Sequence, residues 1–351
     1  MPHRPQSFLV RPLALLLALL VSAVAAAQQP AEPETGQRPN ERPFLWRIEG
    51  QAPAYLFGTF HLADERVTDL QPDVESALAG ADAVFTEIEM DLMVTPALMQ
   101  AMRLPAGKSL RDVVPAALLD RLRKRLGLPD DGPRSLPEMK PWVLAMQVLT
   151  ARKRQTGQVL DLLIYKDAKS AGKEVGGLET IEEQLSVFEG LGLPGEVAYL
   201  GLTLDLLDDY ERRGLDVCEE MIKAYCAGDT ARTLRFFDEM NGDGELWGRL
   251  SRTLLIDRNL RMAERIDRKL HEQPDRKFVF AIGTGHLIGE TCVVDLLRAR
   301  GYVVTRIPET LANLDEELQD LEQEVERRQI RIQQLRSRRA AVAAAGRKKA
   351  G

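Results

Sequence analysis

The stretch Phe278-Val279-Phe280-Ala281-Ile282-Gly283-Thr284-Gly285-His286-Leu287 decides how this 351-residue chain is read. Five apolar residues end abruptly at a glycine, and a run this short and this uniformly apolar reads as a strand buried on both faces. A helix is expected from the turn at Gly283–His286 to about Arg300, and a second strand at Tyr302–Arg306, so the segment forms a βαβ unit. Parallel strands need such crossovers, and the crossover helices cover the sheet faces. An α/β fold follows.

Working outward, Phe44–Ile48 and Ala54–Phe57 are short strands flanking Glu49-Gly50-Gln51, a hairpin signal. A helical segment follows Pro72, and Ala83–Thr86 is a buried strand that ends at Glu87. Glu174–Leu178 is another short strand, after Gly172. Pro96 to about Ala168 reads as helices punctuated by prolines, and Ile181 to about Leu270 is helical again. The expected fold class is therefore α/β: a mixed central sheet with flanking helices and a large helical insertion, spanning 44–308, followed by a C-terminal coiled-coil helix.

The ends have different chemistry. Residues 1–27 carry Arg4 and Arg11, the apolar run Leu13–Val21 and a small-residue site at Ala25-Ala26-Ala27, the layout of a cleaved secretory signal. The apolar run falls short of the roughly 20 residues that span a bilayer, so no stable membrane span is expected after cleavage. Periplasmic or secreted localisation follows, with 28–43, rich in Gln, Glu and Pro, as a disordered leader. At the other end, Leu311, Leu314, Leu318, Leu321, Val325, Ile332 and Leu335 keep heptad spacing, with Arg328 interrupting the seam. Residues 314–326 hold seven acids and no base, and 327–339 hold six bases and no acid. That division favours an antiparallel homodimer through Leu311–Leu335 of a coiled-coil helix at 309–340; the alternative is a helix folded onto its own domain. The basic end, 341–351, is expected to be disordered.

The net charge is -6; 1–27 contribute +2 and the residues from Leu311 onward another +2, leaving -10 for the stretch between. A nucleic-acid partner, which needs a basic surface, is excluded on that ground. The three cysteines, Cys218, Cys226 and Cys292, lack zinc-site spacing. On one helix Cys218 and Cys226 stand about 12 Å apart, too far for a disulfide, so the cysteines are expected as buried thiols.

Of four histidines, His3 belongs to the signal and His271 to a charged helix end, a surface position. The other two share one setting: Leu56-Phe57-Gly58-Thr59-Phe60-His61-Leu62 and Ala281-Ile282-Gly283-Thr284-Gly285-His286-Leu287. In both, a hydrophobic strand ends in Gly-Thr-x-His-Leu, so the imidazole emerges at the carboxyl edge of the sheet, where α/β folds place ligands. If the two strands are neighbours, both rings enter one crevice. Glu87 follows a third strand and reaches the same place; Glu89 and Asp91 are nearby acids whose direction the sequence leaves open. Two imidazoles and one carboxylate suit Zn, Mn, Co or Fe, with positions left for water and substrate. Such an ion activates water for hydrolysis. No Gly-x-Ser-x-Gly or recognisable catalytic cysteine motif is present, and Gly283-Thr284-Gly285 lacks the remaining glycine and the lysine of a phosphate loop. Trp46 and Trp142 read as core.

The segments Leu45-Trp46-Arg47-Ile48, Tyr55–His61, Ala81–Glu87, Lys140-Pro141-Trp142, Asp161, Gly177-Leu178-Glu179-Thr180 with Gln184, Arg258-Asn259, Gly283–Leu287 with Gly289, and Gly301-Tyr302 with Val304 together resemble the TraB/GumN/PrgY family. That family includes the TIKI metalloproteases and shares a fold with erythromycin esterases and ChaN-like proteins. The resemblance covers Phe44 to Ile307 and implies a divalent-metal-dependent peptidase using Mn or Co. It carries the family's functional set onto His61, His286, Glu87 and Arg258, the last to bind a carboxylate or steady an oxyanion. Glu179 is a possible further metal ligand, or a cap of the helix beginning near Ile181. Two positions depart from the family pattern: Met262 replaces a usual tryptophan, and Glu89 replaces a common aspartate. Two other functions fit the same residues: a non-catalytic module that sequesters a peptide or small signal, and a metal-independent esterase-type hydrolase.

Overall fold

The structure, a computed structural model, describes residues 42–92, 96–128, 136, 138–151, 158–240, 252–308 and 310–350. The signal expected at 1–27 and all but the last two residues of the leader lie outside the described residues.

Six strands form one sheet: β1 (Leu45–Ile48), β2 (Ala54–Thr59), β3 (Ala83–Ile88), β4 (Glu174–Glu179), β5 (Phe278–Gly283) and β6 (Val304–Ile307). Their order is β4-β3-β5-β2-β1-β6. The four strands from β4 to β2 run parallel, whereas β1 is antiparallel to both β2 and β6, so the sheet is mixed as expected. The hairpin around Gly50 is present, with Leu45 opposite Phe57 and Ile48 opposite Ala54. Every residue of β3 and β5 is buried, which accounts for the unbroken apolar sequence of β5 and of Ala83–Phe85 in β3.

The segment after β5 differs in two ways from the simplest βαβ reading. First, β2 and β1 lie between β5 and β6, so the crossover passes two strands. Second, the helix begins only at Val293, after a 3-10 turn at Thr284–His286. Gly289 (φ 81°) and Thr291 (φ 58°) take the left-handed region, which a right-handed helix cannot pass through.

Two hydrophobic clusters make the core. One surrounds the sheet and takes in Met262 and Ile266 of the helix Asp257–Glu272 and Val293 and Leu297 of the helix Val293–Arg298. The other lies in the helical insertion, where Trp142 stacks on Phe188 at 4.5 Å between ring centroids and Tyr199 tilts against the same ring. Trp46 and Trp142 are both buried, as their sequence contexts predict. Each fully buried large side chain of this kind contributes roughly 1.5–3 kcal/mol. All three cysteines are buried thiols, with Cys218 and Cys226 on one helix, Val217–Cys226. His271 is exposed.

Pro308–Gly351 forms a separate compact unit. Its helix spans Leu311–Ala350 and runs past Ala340, where the sequence reading expected order to end. Ala340, Ala341, Ala343, Ala344 and Ala345 are the residue type of highest helix propensity, and Arg347, Lys348 and Lys349 suit a helix C-terminus. At the start, Thr310 Oγ1 accepts from the Asn313 backbone N–H at 3.2 Å.

One buried acid stands out in the helical insertion. Glu196, from the helix Gly192–Arg212, is 2% exposed and accepts from the Trp142 backbone N–H at the start of the helix Pro141–Thr150. Its second carboxylate oxygen finds no hydrogen-bond partner among the described residues. Burial pushes its carboxyl up to about 7, against the pull of Lys140 and the Trp142 N–H. The folded state therefore holds a proton that the unfolded chain releases near the ordinary glutamate value. The stability this contributes is complete below that value and is lost as pH rises through about 7. Glu196→Gln, which cannot ionise, is expected to match the parent near pH 4 and to exceed it near pH 8 by about 1–3 kcal/mol in urea unfolding. Equal pH dependence in the two proteins excludes this role for Glu196.

Candidate metal centre

The centre is built by strand register. β2 and β5 are parallel neighbours with Thr59 beside Gly283, so the two Gly-Thr-x-His segments leave the sheet side by side. Thr284 Oγ1 donates to the Thr59 carbonyl at 3.0 Å and ties the two turns together. β3 lies on the other side of β5, with Thr86 beside Ala281, which brings Glu87 level with Ile282 and its carboxylate within reach of the Gly283 N–H. Glu87 lies within β3 and is buried, whereas Glu89 lies just past the strand's last residue, Ile88, and is exposed. Asp91 is likewise directed elsewhere, toward Tyr165 and Lys169.

His61, Glu87 and His286 therefore meet. The Nε2 atoms of His61 and His286 lie 3.5 and 3.7 Å from the same oxygen, Glu87 Oε1. The opposite nitrogen of each ring is held from behind. His61 Nδ1 stands 2.9 Å from Asp161 Oδ2, and the other oxygen of Asp161 accepts from Thr59 Oγ1 at 2.6 Å. His286 Nδ1 stands 2.6 Å from Asn259 Oδ1, while Asn259 Nδ2 donates to the Thr291 carbonyl at 2.9 Å. Since each Nδ1 faces an acceptor, it is an N–H donor, which leaves Nε2 of both rings directed at Glu87.

Glu87 is fixed as firmly. Oε1 accepts from the Gly283 backbone N–H at 2.7 Å, and Oε2 accepts from Arg258 at 2.6 Å and Gln184 at 3.1 Å. Arg258 also bonds Glu179 through Nε at 2.7 Å and is 5% exposed. The carboxylates that it binds are thus the protein's own, and its donors face inward. Glu179, considered above as a ligand or a helix cap, directs one oxygen to Arg258 and the other to Arg261. The cap of the helix Ile181–Glu189 is Thr180, in a reciprocal pair with Glu183.

The local electrostatics follow from these contacts. Burial opposes charge on His61, but the carboxylates of Asp161 and Glu87 outweigh it and hold the ring well above its ordinary pKa. Burial and then the charge of Arg258 push His286 down to about 3. Burial works against ionisation of Glu87, yet Arg258 and the two histidines draw it well below the usual carboxylate range.

Whether these residues fit a metal ion turns on the donor atoms. Two ligands about 2.1 Å from one ion stand roughly 3.0–3.5 Å apart. The two histidine–glutamate gaps are 3.5 and 3.7 Å, His286 is held neutral, an ion would take the place of the Nε2 proton of His61, and Oε1 keeps a lone pair beyond the one given to Gly283. Among the described residues no three such side chains already stand at ion-binding spacing; the two histidine–glutamate gaps lie at or a few tenths of an ångström above that range. Two imidazole nitrogens and a carboxylate oxygen are a donor set that fits a divalent metal ion.

The contacts bring Asp161, Asn259, Gln184 and Thr59 into the centre, none of which the sequence reading gave a role. For Asp161 a signal existed: an acid flanked by Val159, Leu160, Leu162 and Leu163 has to be buried, and a buried carboxylate needs donors. Asn259 directly follows Arg258 and is buried with it. Met262 lies fully buried in the sheet core.

The chain belongs to the TraB/PrgY/gumN family, whose profile matches residues 44–306. It is similar to the protein named Metalloprotease TIKI1 from Danio rerio, with 31% identity over 312 residues, 76% of this chain and 63% of that protein. Metalloprotease TIKI1 from Homo sapiens is 29% identical over 347 residues, 84% of this chain and 69% of that protein. Metalloprotease TIKI2 from Xenopus tropicalis is 30% identical over 313 residues, 76% of this chain and 60% of that protein. The chain thus spans between 60% and 69% of the length of these curated relatives. No solved structure matches it.

Gly283 offers a clean probe of the convergence. Its backbone, at φ -52°, accepts any L residue, but a Cβ there meets both Glu87 Oε1 and His61 Nε2 at 2.9 Å. Gly283→Ala is expected to fold with near-parental Tm and to weaken Mn or Zn binding by about 10–100-fold in calorimetric titration. A folded variant with parental affinity argues against this cradle.

Proposed function

We propose that this chain is an exported, metal-dependent hydrolase that cleaves a peptide or related amide bond. The observation that carries this reading is the convergence of two imidazole Nε2 atoms on one carboxylate oxygen of Glu87. Family membership and the metalloprotease names of the relatives support it, and the signal-like residues 1–27 support export to the periplasm or beyond.

His61, His286 and Glu87 hold the ion, which is Mn, Co or Zn. When bound, such an ion lowers the pKa of a water and polarises a carbonyl. Arg258 locks Glu87 as an ionised ligand, an arrangement that suits metal binding better than proton transfer near neutral pH. Asp161 and Asn259 set the two rings. The side chain of His61 is 25% exposed, against 6% for His286 and 5% for Glu87, so substrate approaches past His61 onto a floor made by the other two. Glu179 clamps Arg258.

Elemental analysis of protein purified without chelator is expected to find one divalent ion per chain. His61→Ala and His286→Ala are each expected to lose it while keeping the parental circular-dichroism spectrum. Cleavage of a peptide library by the parent is expected to stop with chelator and return with added Mn, Co or Zn. An ion retained by either variant sinks the site; chelator-resistant turnover sinks the metal-dependent mechanism; metal without turnover on any peptide sinks the hydrolase reading.

A further inference from the structure

The helix Leu311–Ala350 carries an apolar stripe: Leu318, Leu321, Val325, Ile332 and Leu335 are each 48–56% exposed. The stripe keeps heptad spacing, with Leu311, Leu318, Val325 and Ile332 at a positions and Leu314, Leu321, Arg328 and Leu335 at d positions. A seam of this kind is completed by another helix with the same repeat, and a second copy of the chain supplies one. The charges flanking the seam decide how the copies lie.

Parallel helices pair g with the following e of the partner. That sets Glu317 beside Glu322 of the second copy and Arg331 beside Arg336, both repulsive. Antiparallel helices pair e with e and g with g. In the register that packs Leu318 on Leu335 of the second copy and Leu321 on Ile332, the flanking pairs are Asp315 with Arg336, Glu317 with Arg338 and Glu324 with Arg331. Each pair is attractive, and each occurs twice by twofold symmetry. Sliding by one heptad in one direction sets Glu322 against Glu322 and Glu324 against Glu324, and in the other sets Arg331 against Arg331. Only one of these arrangements satisfies seam and charge together. We propose that this chain dimerises through antiparallel self-pairing of this helix, in the register that joins Leu318 to Leu335 of the second copy. The inference is independent of the metal centre.

The full chain is the test object. Sedimentation equilibrium is expected to show a dimer whose dissociation constant rises with salt, as exposed ion pairs require. Asp315→Arg, Glu317→Arg and Glu324→Arg together are expected to raise that constant on the order of a hundredfold. Adding Arg331→Glu, Arg336→Glu and Arg338→Glu to the same chain is expected to restore it. A Glu317→Cys chain mixed with an Arg338→Cys chain is expected to form an oxidative cross-link that neither forms alone. A monomer, a higher oligomer, failure of the second charge set to restore pairing, or self-cross-linking of a Leu318→Cys chain overturns the proposal.

Discussion

Hydrogen bonding of β2 directly to β5 is the constraint from which the centre follows. The two strands come from opposite ends of the domain, yet their register sets Gly58 against Ile282 and Thr59 against Gly283. Strand side chains alternate, so a slip of one residue turns an imidazole to the opposite face. Buried apolar side chains on both strands oppose any slip. Absence of a side chain matters as much: at Gly58 a Cβ stands 2.7 Å from that of Phe44 and 2.8 Å from Thr284 Oγ1. The strand ends come together because they carry nothing between them.

Behind the histidines lies a buried ionic layer. Arg258 links Glu87 to Glu179, and Arg261 and Arg265 extend the network to Glu179 and Glu183 at its surface edge. Removing charges from water is costly, and such a network persists only where hydrogen bonds satisfy it. Although burial opposes its charge, Arg258 is held still more firmly protonated by the two glutamates. Its cation balances Glu87 from the side opposite the imidazoles, so the carboxylate stays anionic within a hydrophobic fold.

Much of this was legible in sequence because it depends on local pattern. The six strands, the hairpin and the helical insertion follow from apolar runs punctuated by glycine and proline. The pairing of His61 with His286 was visible as a repeated Gly-Thr-x-His. Strand order was not: nothing in Tyr302–Arg306 says that β6 joins the far side of β1. Nor were the partners of the histidines visible, since Asp161 and Asn259 arrive from helices whose rotation is set by packing. Arg258 was identifiable as belonging to the centre but not as inward-facing, because the same guanidinium serves a substrate or a neighbouring glutamate. The helix start after His286 was misread because Thr291, a non-glycine residue in the left-handed region, gives no sequence warning.

The thiols have a consequence for how the protein matures. Burial pushes Cys226 up to about 11 and Cys292 to about 12, and Cys218 is buried with its hydrogen directed at the Leu149 carbonyl. Disulfide exchange proceeds through thiolate, so the folded chain offers it almost no nucleophile. Once packed, the domain is indifferent to the redox poise of its surroundings: it needs no oxidase to complete it, and no reductase can undo it.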